Sequence, residues 1–325
     1  MTRILIAHQE SGTRDTVSRK IRGLEGFQIV EKVRKAEDFF EKVNKADPDV
    51  VVLGMKFEKL SGLDLLEKLK RTDPRPVLAL ASDDVEREEA VRALSYGAVD
   101  VLEPDYRPDE VRSLLEVSLK ADEIVSGREV VSGSAECSGD EAAVFIGSST
   151  GGPGTLEFIL KNFPDRLDAP LFVAQHMSAS YTALFSERMD KLSEFEVKEA
   201  EDGEEVREGM VYFAPGDCDM RVVEEDDEKM IKLSEPSDTT SPSIDVLFRS
   251  AAEVYGDKAL GVVLTGMGKD GAIGSRFIRS EGGKVFVQNR ATSKIYGMPK
   301  HVVNQGDADR ILPLEKIPEE MARCL

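Results

Sequence analysis

The chain has 325 residues, with 62 Asp+Glu against 43 Lys+Arg and a formal net charge of −19. Such an acidic surface repels phosphate backbones and argues against nucleic-acid binding. The length allows about two domains, each able to bury a core, and no apolar run approaches the ~20 residues that span a bilayer. Met1-Thr2-Arg3 leads directly into a strand pattern with no signal-peptide character. The three cysteines, Cys137, Cys218 and Cys324, are scattered, lack metal-site spacing and fit a reducing compartment. Together these features predict a cytoplasmic protein without membrane insertion.

The first half alternates short apolar runs with amphipathic stretches. Strands are predicted at Ile4–Ala7, Phe27–Val33, Val50–Leu53, Val77–Ala81 and Val99–Leu102. Helical patterns lie between them at Asp15–Arg22, Ala36–Lys45, Gly62–Lys70 and Val85–Tyr96, and a last helix runs from about Pro108 to Ile124. This alternation predicts a five-stranded, parallel, doubly wound sheet over residues 1–124. Residues 125–140 are rich in Ser, Gly and Glu and read as a linker.

The second half, 141–325, restarts with an apolar run at Ala142–Ile146. It continues with strands at Leu171–Ala174, Val211–Ala214, Ala259–Leu264 and Lys284–Val287. Met220–Val223 and Met230–Leu233 flank the acidic turn Glu224-Glu225-Asp226-Asp227-Glu228 and predict an inserted β-hairpin. Ser241-Pro242 reads as a helix start and Gly256 as its stop. The expectation is a second doubly wound α/β domain with a mixed sheet.

Three loops of this domain carry chemistry. Ala142–Ile146 ends in Gly147-Ser148-Ser149-Thr150-Gly151-Gly152-Pro153, after which Pro153 opens a helical pattern through Leu156, Ile159, Leu160 and Phe163. A strand turning sharply into a helix exposes a side chain beside free backbone N–H groups. Ser149 there is a nucleophile or part of a phosphate cradle. A P-loop would need Gly-Lys-Ser/Thr at this point, and Pro153 follows Gly152 instead. A dinucleotide site would want Gly-x-Gly-x-x-Gly, and Gly147-Ser148-Ser149 breaks that spacing. The second loop, Gln175-His176-Met177, follows the strand at 171–174. The third, Thr265-Gly266-Met267-Gly268-Lys269-Asp270-Gly271, follows the strand at 259–264. Loops at the carboxyl ends of strands in an open α/β sheet converge on one crevice. Hydroxyl, imidazole and carboxylate then fill the roles of nucleophile, general base and orienter. Taken singly, Ser149 could be a capping serine, His176 a core histidine and Asp270 a turn residue. The order Ser…His…Asp differs from the Ser…Asp…His order of α/β-hydrolases.

These blocks, in this order, resemble the catalytic domain of the chemotaxis protein-glutamate methylesterase (CheB) family. Ala214-Pro215-Gly216-Asp217, Pro242-Ser243-Ile244-Asp245-Val246-Leu247-Phe248, Ala291-Thr292-Ser293 and Tyr296-Gly297-Met298-Pro299-Lys300 belong to the same resemblance. It implies a serine esterase releasing methanol from γ-glutamyl methyl esters on chemoreceptor cytoplasmic helices. Many members also deamidate receptor glutamines. Ser149 would be the nucleophile, His176 the general base and then acid, and Asp270 the orienting carboxylate. Backbone N–H groups of Met267 and the Thr150 region would form the oxyanion hole. No cofactor or metal is implied. The partners implied are methyl-accepting receptors, with chemotaxis kinase or adaptor proteins as further candidates. Arg290 departs from the family, standing where an acidic residue is usual. The alternatives are a non-catalytic receptor-binding adaptor and a methylesterase in a signalling system other than taxis.

The first half resembles the flavodoxin-like receiver domain of that family, but with its chemistry missing. A phosphorylatable receiver needs an acidic pair after strand one, an acceptor aspartate ending strand three and a lysine after strand five. Here strand one runs into His8-Gln9, strand three ends in Gly54, and strand five is followed by Glu103-Pro104. Ser82 stands at the switch-hydroxyl position. The expectation is a pseudo-receiver with no phosphorylation site, leaving control by phosphorylation lost.

Overall fold

The computed structural model describes residues 1–120, 141–164, 168–237 and 241–325. The linker predicted at 125–140, and the last residues of the helix predicted to reach Ile124, lie outside the described residues. The chain divides into two compact units, one on each side of that stretch.

The first unit comprises β1 (Thr2–Ala7), α1 (Ser11–Arg22), β2 (Phe27–Val33), α2 (Phe39–Ala46), β3 (Val50–Gly54), α3 (Gly62–Thr72), β4 (Val77–Leu80), α4 (Asp84–Ser95), β5 (Asp100–Leu102) and α5 (Pro108–Lys120). Its sheet has the order β2-β1-β3-β4-β5, with every pairing parallel. Every residue of β3 is buried, as a parallel strand covered on both faces requires. Ser61 and Asp64 start α3 with a reciprocal capping box. The strand order reverses between β1 and β3, so their carboxyl ends flank a crevice. His8 and Gly54 lie at those ends.

The second unit runs β6 (Ala143–Ser148), α6 (Gly152–Lys161), β7 (Leu171–Gln175), α7 (Ala179–Leu192), β8 (Glu196–Glu199), β9 (Met210–Phe213), β10 (Asp219–Glu225), β11 (Glu228–Ser234), α8 (Ile244–Tyr255), β12 (Ala259–Val263), α9 (Ala272–Ser280), β13 (Lys284–Gln288), α10 (Met298–Gln305), β14 (Arg310–Leu312) and α11 (Ile317–Ala322). Among the described residues the main sheet has the order β14-β13-β12-β6-β7-β9-β8. All its pairings are parallel, which overturns the expected mixed sheet. The antiparallel pair β10–β11 forms its own two-stranded sheet instead. Asp226 and Asp227 turn it with φ of 53° and 67°, the left-handed backbone that tight hairpins favour. The start of α8 also differs from expectation. Ser243, not Ser241, caps it, its Oγ accepting the Val246 N–H at 3.3 Å. The Ser243 N–H is in turn held by Asp219 at 2.8 Å, which fixes where the helix begins. Strands β8 and β14 escape the hydropathy pattern because one has three charged residues among its four and the other has three residues.

Strand register sets the height of the functional edge. Phe145, Phe172 and Tyr212 are register partners on β6, β7 and β9 and lie on one face of the sheet. Their rings stack at 4.9 and 5.5 Å between centroids, each pair worth about 0.5–1.5 kcal/mol beyond its buried area. Ile244, Leu247 and Phe248 of α8 complete this core. Cys218 is free, whereas Cys324 is disulfide-bonded. No helix among the described residues is long and apolar enough to cross a membrane.

Candidate active site

Three adjacent strands, β12, β6 and β7, end side by side, with Val263 paired to Gly147 and Gly147 to Ala174. The loops that follow carry Asp270, Ser149 and His176. The elbow after β6 is tight because glycines allow it. Gly151 has φ +77°, and a Cβ on Gly152 would sit 2.0 Å from Gln175 Oε1. A Cβ on Gly147 would strike Ile244 Cγ2 at 2.3 Å, so α8 seats directly on the strand end. The elbow is tied on both sides. The Ser149 N–H donates to the Thr265 carbonyl at 3.1 Å, and the His176 N–H to the Ser148 carbonyl at 3.0 Å.

His176 Nε2 lies 2.8 Å from Asp270 Oδ2, with both side chains mostly buried. That leaves Nδ1 as the ring nitrogen able to take a proton. Ser149 is 9 % exposed, and among the described residues its hydroxyl makes no hydrogen bond, to His176 or otherwise. Nucleophile–base hydrogen bonds commonly tighten only when substrate is bound.

Asp270 is held from several directions. The Ile244 and Asp245 N–H groups at the start of α8 donate to it at 2.8 and 2.9 Å, and its neighbour Gly271 at 2.9 Å. Burial alone would push the carboxyl up. The hydrogen bond and charge of His176, with the α8 amides, outweigh that and hold it below the ordinary aspartate range. An anion at a helix N-terminus gains further from the helix dipole.

The backbone N–H groups of Thr150 and Met267, singled out for the oxyanion role, have no hydrogen-bond partner among the described residues. The Thr150 carbonyl accepts Thr265 Oγ1 at 3.0 Å, which ties the first loop to the third. Met267 is 42 % exposed and lines a cleft of about 750 Å³ together with His176 and Asp270. Among the described residues, no three His, Cys, Asp or Glu side chains group to hold a metal ion.

Several residues at this edge are supports that the motifs did not single out. Gln175 is buried. Its Nε2 donates to the carbonyls of both Ser149 and His176 at 3.0 Å, and its Oε1 accepts Ser148 Oγ at 2.6 Å. Gln288 Oε1 accepts the Thr265 N–H at 2.8 Å. The available signal was a glutamine ending each of two apolar strands, where a polar residue needs buried partners.

The corresponding edge of the first unit is filled differently. His8 is fully buried. Its Nδ1 accepts the Glu10 N–H at 3.1 Å, so Nε2 carries the hydrogen and donates to Glu86 at 3.1 Å. Ser82 adds its N–H and hydroxyl to the same carboxylate at 2.7 and 2.6 Å. A Cβ on Gly54 would lie 2.3 Å from His8 Cδ2. The imidazole therefore occupies the space a side chain at 54 would need. Glu103, following β5, accepts Arg87 Nε at 2.8 Å.

Two family models match the chain, one described as CheB methylesterase over residues 144–321 and one as response regulator receiver domain over residues 4–116. A protein-glutamate methylesterase/protein-glutamine glutaminase of Archaeoglobus fulgidus is 34% identical over 319 residues, covering 92% of this chain and 91% of that one. One of Myxococcus xanthus is 34% identical over 332 residues, covering 98% and 96%. The crystal structure of the Thermotoga maritima CheB methylesterase catalytic domain superposes with a TM-score of 0.55 at 41% identity, covering 57% of this chain and 100% of that one. With the Ser149 elbow, the His176–Asp270 pair and the parallel sheet that presents them, the chain belongs to the CheB methylesterase family and carries a receiver domain ahead of its catalytic domain.

Proposed function

We propose that this chain is a serine hydrolase that demethylates γ-glutamyl methyl esters on the cytoplasmic helices of chemoreceptors and deamidates receptor glutamines at the same site. The observation that carries this reading is the His176–Asp270 pair at 2.8 Å, on loops flanking the Ser149 elbow, in a chain of this family. Ser149 Oγ attacks the ester carbonyl carbon while His176 Nδ1 accepts the hydroxyl proton. The imidazolium is stabilised by Asp270, which stays ionised. The Thr150 and Met267 N–H groups hold the oxyanion, each worth about 3–4 kcal/mol in the transition state. Collapse of the tetrahedral intermediate breaks the C–O bond, and methoxide leaves as methanol with the proton from His176. A water, deprotonated by His176, then attacks the acyl-enzyme and frees glutamate and Ser149. A glutamine follows the same steps with ammonia leaving.

The receiver domain, on this reading, takes no phosphoryl group. Gly54 offers no carboxylate, and His8 fills the adjacent space. It acts as a docking or constitutive module, in a cytoplasmic protein whose partners are methyl-accepting receptors.

Methanol release from membranes carrying methylated receptor tests the proposal. The native chain should release methanol, and Ser149→Ala should be slower by about 10⁴–10⁶-fold, as for nucleophile removal in other serine hydrolases. A native chain that binds receptor without releasing methanol would support the adaptor reading instead.

A further inference from the structure

Asp270 and Asp245 form a reciprocal arrangement. Asp270 immediately precedes the turn into α9, yet its carboxylate takes the first N–H groups of α8. Asp245 stands in the first turn of α8, yet its Oδ1 accepts the Gly274 N–H of α9 at 2.7 Å. The Gly271 and Ile273 N–H groups also bear on it. The α8 N-terminus thus meets a carboxylate from the loop leading into α9, and the α9 N-terminus meets one carried on α8. Glycine at 274 permits the approach, because a Cβ there would meet Phe248 Cβ at 2.5 Å and Asp245 Cα at 3.1 Å.

We infer that Asp245 is a positioning residue for the esterase site. It anchors the start of α9, and with it the 265–271 loop, so that Asp270 stays in register with His176. The inference rests on the reading of His176 as the general base. Asp245 touches no reacting atom in this scheme and acts through Asp270. Its carboxylate only accepts hydrogen bonds from these amides, as an ionised group does. Burial and the charge of Asp270 push its carboxyl above the ordinary aspartate range, and the α9 amides oppose that. This marks a like-charge pair stabilised by two helix N-termini, with His176 bonded to one member. The other charged groups lining the cleft are Arg221 from β10, Arg249 and Glu253 from α8, and Lys269 from the loop.

Two variants of the full chain separate positioning from mere folding. In Asp245→Ala the α9 amides lose their acceptor. kcat should fall about 10–100-fold with KM changed less than about twofold, the scale expected when a catalytic group drifts by about 1 Å. Asp245→Asn keeps an oxygen acceptor for Gly274 and should recover most of kcat. A second readout needs no turnover, namely titration of the His176 ring by NMR. Losing the negative charge and loosening Asp270 should move the ring's titration to lower pH in Asp245→Ala. If Asp245→Ala folds normally and leaves both kcat and the His176 titration unchanged, the inference fails. If the native chain proves inert toward the ester, the proposed function fails, and the titration alone decides whether Asp245 governs the His176–Asp270 pair.

Discussion

Placing an aspartate at position 54 should not create a working receiver, and the reason is measurable. In Gly54→Asp the new Cβ would lie 2.3 Å from His8 Cδ2 and 3.2 Å from the Ala7 carbonyl oxygen. The backbone on both sides is a buried parallel strand, so the ring must move. Displacing it breaks the His8–Glu86 hydrogen bond inside the core, where both residues are almost fully buried. Glu86 is an ionised partner. Burial would push its carboxyl up, but the hydrogen bonds from His8 and Ser82 hold it below the ordinary glutamate range. Losing a hydrogen bond to a buried charge costs about 1.5–3 kcal/mol, and overpacking a close-packed site adds about 1–3 kcal/mol. Gly54→Asp should therefore destabilise the first unit by about 2.5–6 kcal/mol, read by denaturant unfolding of the full chain. His8→Ala/Gly54→Asp should recover part of that loss, because the ring no longer competes for the space. A double-mutant cycle should then show a coupling of at least about 1 kcal/mol. An additive cycle, or a Gly54→Asp protein as stable as the native chain, would refute the claim that His8 occupies the acceptor space. Accumulation of an acyl phosphate on the native chain with acetyl phosphate and Mg²⁺ would refute the loss of phosphorylation itself.

Asp270 links stability of the second unit to pH. Its folded pKa is depressed, so its contribution is full above the unfolded value of about 3.8 and is lost as pH falls from there through the folded value. Unfolding measured between pH 5 and 2 should show the stability gap between native chain and Asp270→Asn narrowing as pH falls, and a gap that widens would contradict the assigned sign. Gln175→Ala removes the amide that ties the Ser149 and His176 carbonyls together. It should lower kcat about tenfold or more through loop misplacement, and a kcat equal to that of the native chain would show that the two loops are fixed without it.

The placement of Ser149, His176 and Asp270 at one sheet edge was legible because it depends on residue type at strand ends. An apolar run ending in Gly147-Ser148-Ser149 marks an elbow whatever the rest of the sheet does. The same holds for His176 after β7 and Asp270 after β12, because carboxyl ends of parallel strands face one edge. Sheet direction was less legible. The hairpin residues 219–234 carry ordinary strand signals, and nothing in their composition says that they stand apart from the main sheet. The start of α8 was misplaced for a related reason. Ser241-Pro242 and Ser243 are both good starts locally, and the choice falls to Asp219 and Asp270, which bind the Ser243 and Ile244 N–H groups from outside the helix.

The receiver domain draws the same boundary more sharply. That position 54 lacks a carboxylate is a fact of residue identity and needs no structure. That the vacated space belongs to His8 depends on a ring 46 positions away being buried, held at Nδ1 by the Glu10 N–H and at Nε2 by Glu86 on α4. An acidic residue at 8 would place a second carboxylate beside Glu86, a like-charge pair that burial penalises heavily. The imidazole instead donates to Glu86 and fills the gap beside a glycine. An imidazole at 8 and a glycine at 54 are therefore one packing solution, each fitting because of the other.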